Sequence, residues 1–308
     1  MRKSLLAIGS AAVALLAAAA CTDAHTLATD QTQVLAAATE QLANMMDTTF
    51  GVSGRTGSDG AATIGGSAPA LAPAATDTVT PPLFWGRWRI VPGGPRPIFH
   101  RDVTVQGDSA WIELTVTFQG LFLVDTSADT TFNPSAKPMD IQLHQSAVFV
   151  RDAARPHGWR AVALSLQNWQ NTDVATRTVD VTQVQVSVNG AVKFTATDPD
   201  SLYDVVNRIP RLHVGDTVTV TASVTNTTGG SFVPPTFVFL HVRHADLSGV
   251  YWRRVLMRDN GDGTYSRTWI ARRTGVDRFV VDAIDAATLE LTANNYRANE
   301  WGIPYRIE

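Results

Sequence analysis

The sequence predicts a mainly β protein, with a β-rich first domain, either all-β or α+β, followed by a β-sandwich. Three observations lead there. Apolar and polar residues alternate in run after run from Phe84 to the C-terminus, the period of half-buried strands. Clusters of Gly, Pro, Asn and Asp separate the runs. The single cysteine, Cys21, allows no internal disulfide, so packed cores must hold the fold.

The first 20 residues read as a signal peptide. Arg2 and Lys3 form a positive start, and Leu5 to Ala20 follow without a charge. That block is too short for a membrane span of about 20 residues and suits the apolar region of a secretory signal. Ala18-Ala19-Ala20-Cys21 resembles the lipobox of bacterial lipoproteins, with Ala18 where that family usually has Leu. The resemblance implies cleavage just before Cys21, acylation of its thiol, and residence on a membrane of the bacterial cell envelope, at the periplasmic face or cell surface. Each buried lipid CH₂ contributes about 0.8 kcal/mol, so several acyl chains hold a protein to a bilayer. The other reading is ordinary signal-peptidase cleavage at an Ala-x-Ala site, leaving a free cysteine. Cleavage removes two of the 25 basic residues and none of the 28 acidic ones, for a mature charge of −5. Export and that charge argue against a nucleic-acid partner.

Residues 21–50 are expected to carry a lipid-anchored helix. Leu35, Ala38, Leu42, Met45 and Met46 recur at three- and four-residue steps, and Thr26 or Asp30 would cap the start. Residues 51–82 are Gly, Ser, Ala, Thr and Pro with few large apolar side chains. Such a stretch buries too little to offset its conformational entropy. It reads as a flexible linker giving the folded part reach from the membrane, or as a long loop of the first domain.

The first folded domain spans residues 83–175. Trp85 and Trp88 flank Arg87, and Pro92 to Pro95 turn the chain. Ile112, Leu114, Val116 and Phe118 alternate with polar residues, and Gly120 is expected to form a bulge before Leu121 to Val124. Residues 125–138 read as a loop. Met139, Ile141 and Leu143 restart the alternation, and Trp159 to Leu164 close an antiparallel meander. Gly107 to Trp111 and Gly158 to Val162, each entering a strand, resemble the nuclear-transport-factor-2-like fold. That resemblance implies a helix packed in the crook of a curved sheet; a plain sandwich or small barrel is the alternative.

Residues 176–308 read as the sandwich with a C-terminal extension. Val184, Val186 and Val188 share a face, Asn189-Gly190 is a two-residue hairpin turn, and Val218, Val220, Ala222 and Val224 alternate. Asp259 to Tyr265, Trp269, Gly275, Phe279 and Val281 resemble the filamin-type immunoglobulin-like repeat. This implies an immunoglobulin-like sandwich and says little about function.

No catalytic residue is assigned. There is no Gly-x-Ser-x-Gly elbow, and His100, His144 and His157 are scattered, with Asp102 and Asp140 the nearest carboxylates to the first two. No metal or cofactor is assigned either. His241 and His244 fall on opposite faces of a strand and read as separate surface or rim histidines. Asp259 to Gly263 has the residues of a turn rather than of a calcium loop, with Ile270 where an acidic ligand would stand. Tyr265, Arg267 and Trp269 share a strand face that would suit an acidic glycan; Arg stems covering aromatics on a solvated face would read the same. The expected function is an exported, lipid-anchored, non-catalytic binding or structural module, with the membrane and a protein or glycan ligand as partners. The alternative is an enzyme or enzyme accessory with a pocket in the first domain, or a glycan-binding lipoprotein.

Overall fold

A computed structural model of the chain describes residues 27–42, 45–46, 58–64, 83–88, 93–125, 134–228, 235–246, 249–289 and 296–308. Cys21 and the signal peptide lie outside them. The fold is mainly β, as the alternating runs require.

Helix α1 covers residues 27–41. Its apolar stripe is real: Val34, Ala37, Ala38 and Leu42 are buried, and Met45 and Met46 continue the burial beyond its end. Asp30 lies inside the helix rather than capping it, and its carboxylate meets Arg151 at 2.5 Å.

The strands follow the polarity of the sequence. β1 (Ser58–Ile64) and β2 (Leu83–Trp88) pair antiparallel. Part of the expected linker is therefore a strand. Its small residues have low strand preference, but β2 offers an edge whose backbone groups need partners. β3 (Ile98–Gln106), β4 (Ser109–Asp125), β5 (Ser135–Arg151) and β6 (Trp159–Leu164) form the meander, and β7 (Gln167–Asn171) pairs with β5 as β6 does. β4 is a single 17-residue strand with unbroken register against β5, so Gly120 makes no bulge. Beyond Gly120 the alternation stops because Phe122, Leu123, Val124 and Asp125 are all buried, with both faces of the strand covered. β5 begins at Ser135, earlier than expected, and admits Pro138 opposite Leu121. β7 pairs with β5 only from Ile141 to His144, so β5 has no β7 partner at Pro138, and a residue without an N–H is tolerated there.

β8 (Val179–Val188) and β9 (Ala191–Ala196) form the expected hairpin. Asn189 and Gly190 both take positive φ, 51° and 85°, the requirement of the turn that matches strand twist. A register shift against the next long strand, at Thr182, changes the parity of β8, so Val179 and Val181 point inward with Val184, Val186 and Val188. Short β10 (Tyr203–Asp204) and β11 (Arg211–Leu212) lead to β12 (Thr217–Asn226). β13 (Thr236–Asp246), β14 (Gly249–Leu256), β15 (Arg258–Asp259), β16 (Thr264–Ile270), β17 (Gly275–Asp285) and β18 (Ala298–Ile307) complete the chain.

These strands make two sheets. The smaller runs β15-β16-β12-β8-β9. It packs through β8 on β17 and β18, and its inward valines belong to the same buried core as Phe279 and Ile303. The larger has 13 strands among the described residues, nine of them along the path β1-β2-β4-β5-β7-β18-β17-β13-β14 with β3, β6, β10 and β11 paired off it, and includes a curled half-barrel. β18 lies between β7 and β17, so hydrogen bonding runs continuously from residues before 175 to residues after it. β7 and β18 approach closely at one glycine. A Cβ on Gly302 would stand 2.7 Å from Gln167 Oε1 and 2.8 Å from its Cβ.

Candidate functional site

The strongest concentration of chemistry lies inside the curl. Trp85 and Arg87 project from one face of β2, two residues apart, and both are fully buried. Asp282 on β17 lies opposite Phe239 on β13 and opposite Glu300 on β18. Arg87 grips Asp282 with two forked hydrogen bonds, Nη1 to Oδ2 at 2.6 Å and Nη2 to Oδ1 at 2.7 Å. Its Nη1 also lies 3.4 Å from Glu300 Oε1. His241 Nε2 sits 2.9 Å from the second lobe of the same carboxylate, Asp282 Oδ2. Arg254 on β14 donates to the Trp85 carbonyl at 3.1 Å and stacks over the Trp85 ring at 3.7 Å. Trp85 meets Phe239 edge-on at 5.1 Å and Phe122 at 5.4 Å.

These contacts explain the curl. β2 and β17 are five strand steps apart along the sheet path, about 24 Å if the sheet were flat. An arginine side chain does not span that. The sheet must bend until β2 faces β17, β13 and β14, and the Arg87–Asp282 pair then ties the facing parts together.

The electrostatics follow from burial and pairing. Burial pushes the Asp282 carboxyl up, but the Arg87 guanidinium and the hydrogen bond from His241 outweigh it and hold the group well below the usual carboxylate range. Burial likewise pushes the Arg87 guanidinium down, and the charges of Asp282 and Glu300 outweigh it, holding it well above its ordinary value. Both groups stay ionised at ordinary pH. The arrangement is a fixed ion pair, not a proton-transfer couple.

Sequence reasoning did not find this cluster. A signal was present: Arg87 sits in Leu83-Phe84-Trp85-Gly86-Arg87-Trp88, and Asp282 in Phe279-Val280-Val281-Asp282-Ala283-Ile284. A lone charge inside an apolar strand run implies a buried partner. His241, expected at a rim, is buried instead, because β2 covers that part of β13 with Arg87 and Trp85. The side chain of His244 lies outside the described residues.

The other histidines do not converge. His144 pairs with Asp200 at 3.2 Å, not with Asp140, and both partners are exposed. His157 lies 3.4 Å from Glu40, and His213 lies 3.6 Å from Asp216. Among the described residues no group of three or more His, Cys, Asp or Glu side chains is placed to hold a metal ion. The carboxylates at Asp259 and Asp262 accept from Gly261 N at 2.8 Å and Thr264 N at 3.0 Å, the bonds of a turn.

Tyr265, Arg267 and Trp269 share the face of β16 that carries Ala222, Val220 and Val218 on the neighbouring strand, all buried. That face turns toward the opposing sheet. Tyr265 is buried, Trp269 is half-buried with its ring 5.6 Å from Tyr305, and Arg267 alone is exposed. A glycan platform needs exposed rings, and these rings contribute to the sandwich interior instead. Burial pushes the Tyr265 phenol up to about 12; the Asp259 charge adds to this and a hydrogen bond with Thr236 opposes it. The folded state holds this proton more tightly than the unfolded chain. Its contribution to stability is complete below pH 10 and is lost as pH rises through about 12. A spectrophotometric titration of the folded protein is expected to show a phenol ionising near pH 12 that Tyr265→Phe lacks; loss of a phenol ionising near pH 10 instead would place the ring in water. In comparison with known proteins, no family model, no curated protein and no solved structure matches the chain.

Proposed function

We infer that the protein is an exported lipoprotein of the bacterial cell envelope, anchored through acylated Cys21, whose folded part is a non-catalytic binding or structural module. The observation that carries the anchor is the placement of the lone cysteine after Arg2-Lys3 and an uncharged run that ends in four alanines, Ala17 to Ala20. The folded part supports a structural role. Acid–base catalysis needs a group that exchanges protons near the working pH. The most perturbed carboxylate, Asp282, is held far below that range inside a closed set of partners. The smaller sheet packed on β17 and β18 is in keeping with an immunoglobulin-like sandwich as the C-terminal part.

Cys21→Ser is expected to move the protein from the membrane fraction to the soluble fraction and to remove the mass of the acyl chains. Among the described residues no helix is long and apolar enough to cross a membrane. A wild-type protein without acyl mass would overturn the reading.

A further inference from the structure

We propose that the end of the folded body around the start of α1 is the surface that rests on the membrane. The proposal rests on the acylation of Cys21. Its structural basis is that α1 is not a free stalk. The helix is fixed along its whole length, by Asp30 to Arg151 at 2.5 Å and by Gln31 Nε2 donating to the Val103 carbonyl at 2.8 Å near its start. Near its end, Gln41 donates to the Trp159 carbonyl at 2.7 Å and accepts from Ala161 N at 3.0 Å. Val34, Ala37, Ala38 and Leu42 are buried beneath it. The contacts fall on β3, on the last residue of β5, and on the first residues of β6, which pairs beside it. A 15-residue helix about 22 Å long thus lies across the strands at one end of the sheet.

Tether length does the rest. Five residues separate Cys21 from Leu27. Six peptide steps reach at most about 22 Å. The stretch 51–82, expected to provide reach, follows the docked helix and adds nothing to the distance between the acyl chains and the folded body. The Arg151 guanidinium meets both Asp30 and Asp108, the latter at 3.5 Å, so the Gly107–Asp108 turn stands beside the start of the helix. Leu27 and the Asp108 side chain are exposed there, by 47% and 88%. The other end of β5, at exposed Ser135, lies 16 residues from Arg151, about 50 Å along the strand. The bilayer therefore meets the end that carries Leu27 and Asp108, and Ser135 points away from it.

The test uses the full acylated protein in vesicles of phosphatidylethanolamine and phosphatidylglycerol containing a lipid with a nitroxide headgroup. A fluorophore is attached at Asp108→Cys or at Ser135→Cys; acylated Cys21 does not react. Quenching is expected to be several-fold stronger at 108 than at 135. A flexible Gly/Ser spacer of about 30 residues between Ala24 and His25 should erase that difference. The same spacer between Ser67 and Ala68 should leave it intact. Equal quenching at both sites, in protein whose mass carries the acyl chains, overturns the orientation alone. So does loss of the difference when the spacer sits at 67–68. A wild-type chain without acyl mass overturns the anchor, and the orientation with it.

Discussion

Asp282→Ala is expected to lower the free energy of unfolding by about 3–5 kcal/mol, the cost of removing one partner from a buried ion pair. The guanidinium of Arg87 is fully buried and forks onto both oxygens of that carboxylate. Without it the charge loses both forked bonds, and Glu300 at 3.4 Å does not replace them. Arg87→Met should cost a similar amount, since among the described residues it leaves the Asp282 carboxylate only its bond with His241. The double variant should cost clearly less than the sum of the two, because both charges leave together. Denaturant unfolding of the four proteins measures this cycle, and strict additivity would mean that the pair does not hold the curl. The pH dependence carries the same signature. The folded carboxyl lies well below its ordinary value of 3.8, so its contribution is fully present above that pH and is lost as pH falls toward the folded value. Asp282→Asn should therefore flatten the loss of stability below about pH 4 relative to the wild type.

The sequence exposes what is local and hides what is distant. The stripe from Leu35 to Met46 announces α1 because a helix brings every third or fourth residue to one face. The alternation from Ile112 to Phe118 and from Val218 to Val224 announces β4 and β12 because a strand brings every second residue to one face. Asn189-Gly190 names its own turn. In contrast, nothing near Gln167 says that its partner is Gly302, and nothing near Arg87 says that its carboxylate lies 195 residues away. The curl itself leaves no periodic trace. It shows only as a charge in an apolar run, and as the point after Gly120 where β4 stops alternating. The same distance hides the fate of β16. Tyr265, Arg267 and Trp269 do share a face, as the period of two requires, but which face meets the second sheet depends on β17 and β18. The strand at Ser58–Ile64 was hidden for the opposite reason: its composition is weak, and the edge of β2 determines it.

Leu42→Ala should cost about 2–5 kcal/mol, through lost transfer energy and the cavity left behind. The side chain is 1% exposed and sits in one core with Val34, Ala38, Met45 and Met46. Flexible Met45 and Met46 can fill part of the gap, which draws the value toward the lower end of that range. Thr39→Ala is the internal control. Thr39 is exposed on α1 and returns its hydroxyl to the Leu35 carbonyl at 3.0 Å, so its loss should stay within about 0.5 kcal/mol. The contrast between the two separates docking of the helix from its intrinsic stability, since both changes leave an alanine at a helical or helix-end position. A Leu42→Ala cost below about 1 kcal/mol would mean that α1 does not bury its stripe against the sheet. The short tether would then become a long one, running from Cys21 through the helix to β2, and the membrane-facing end would lose its physical basis.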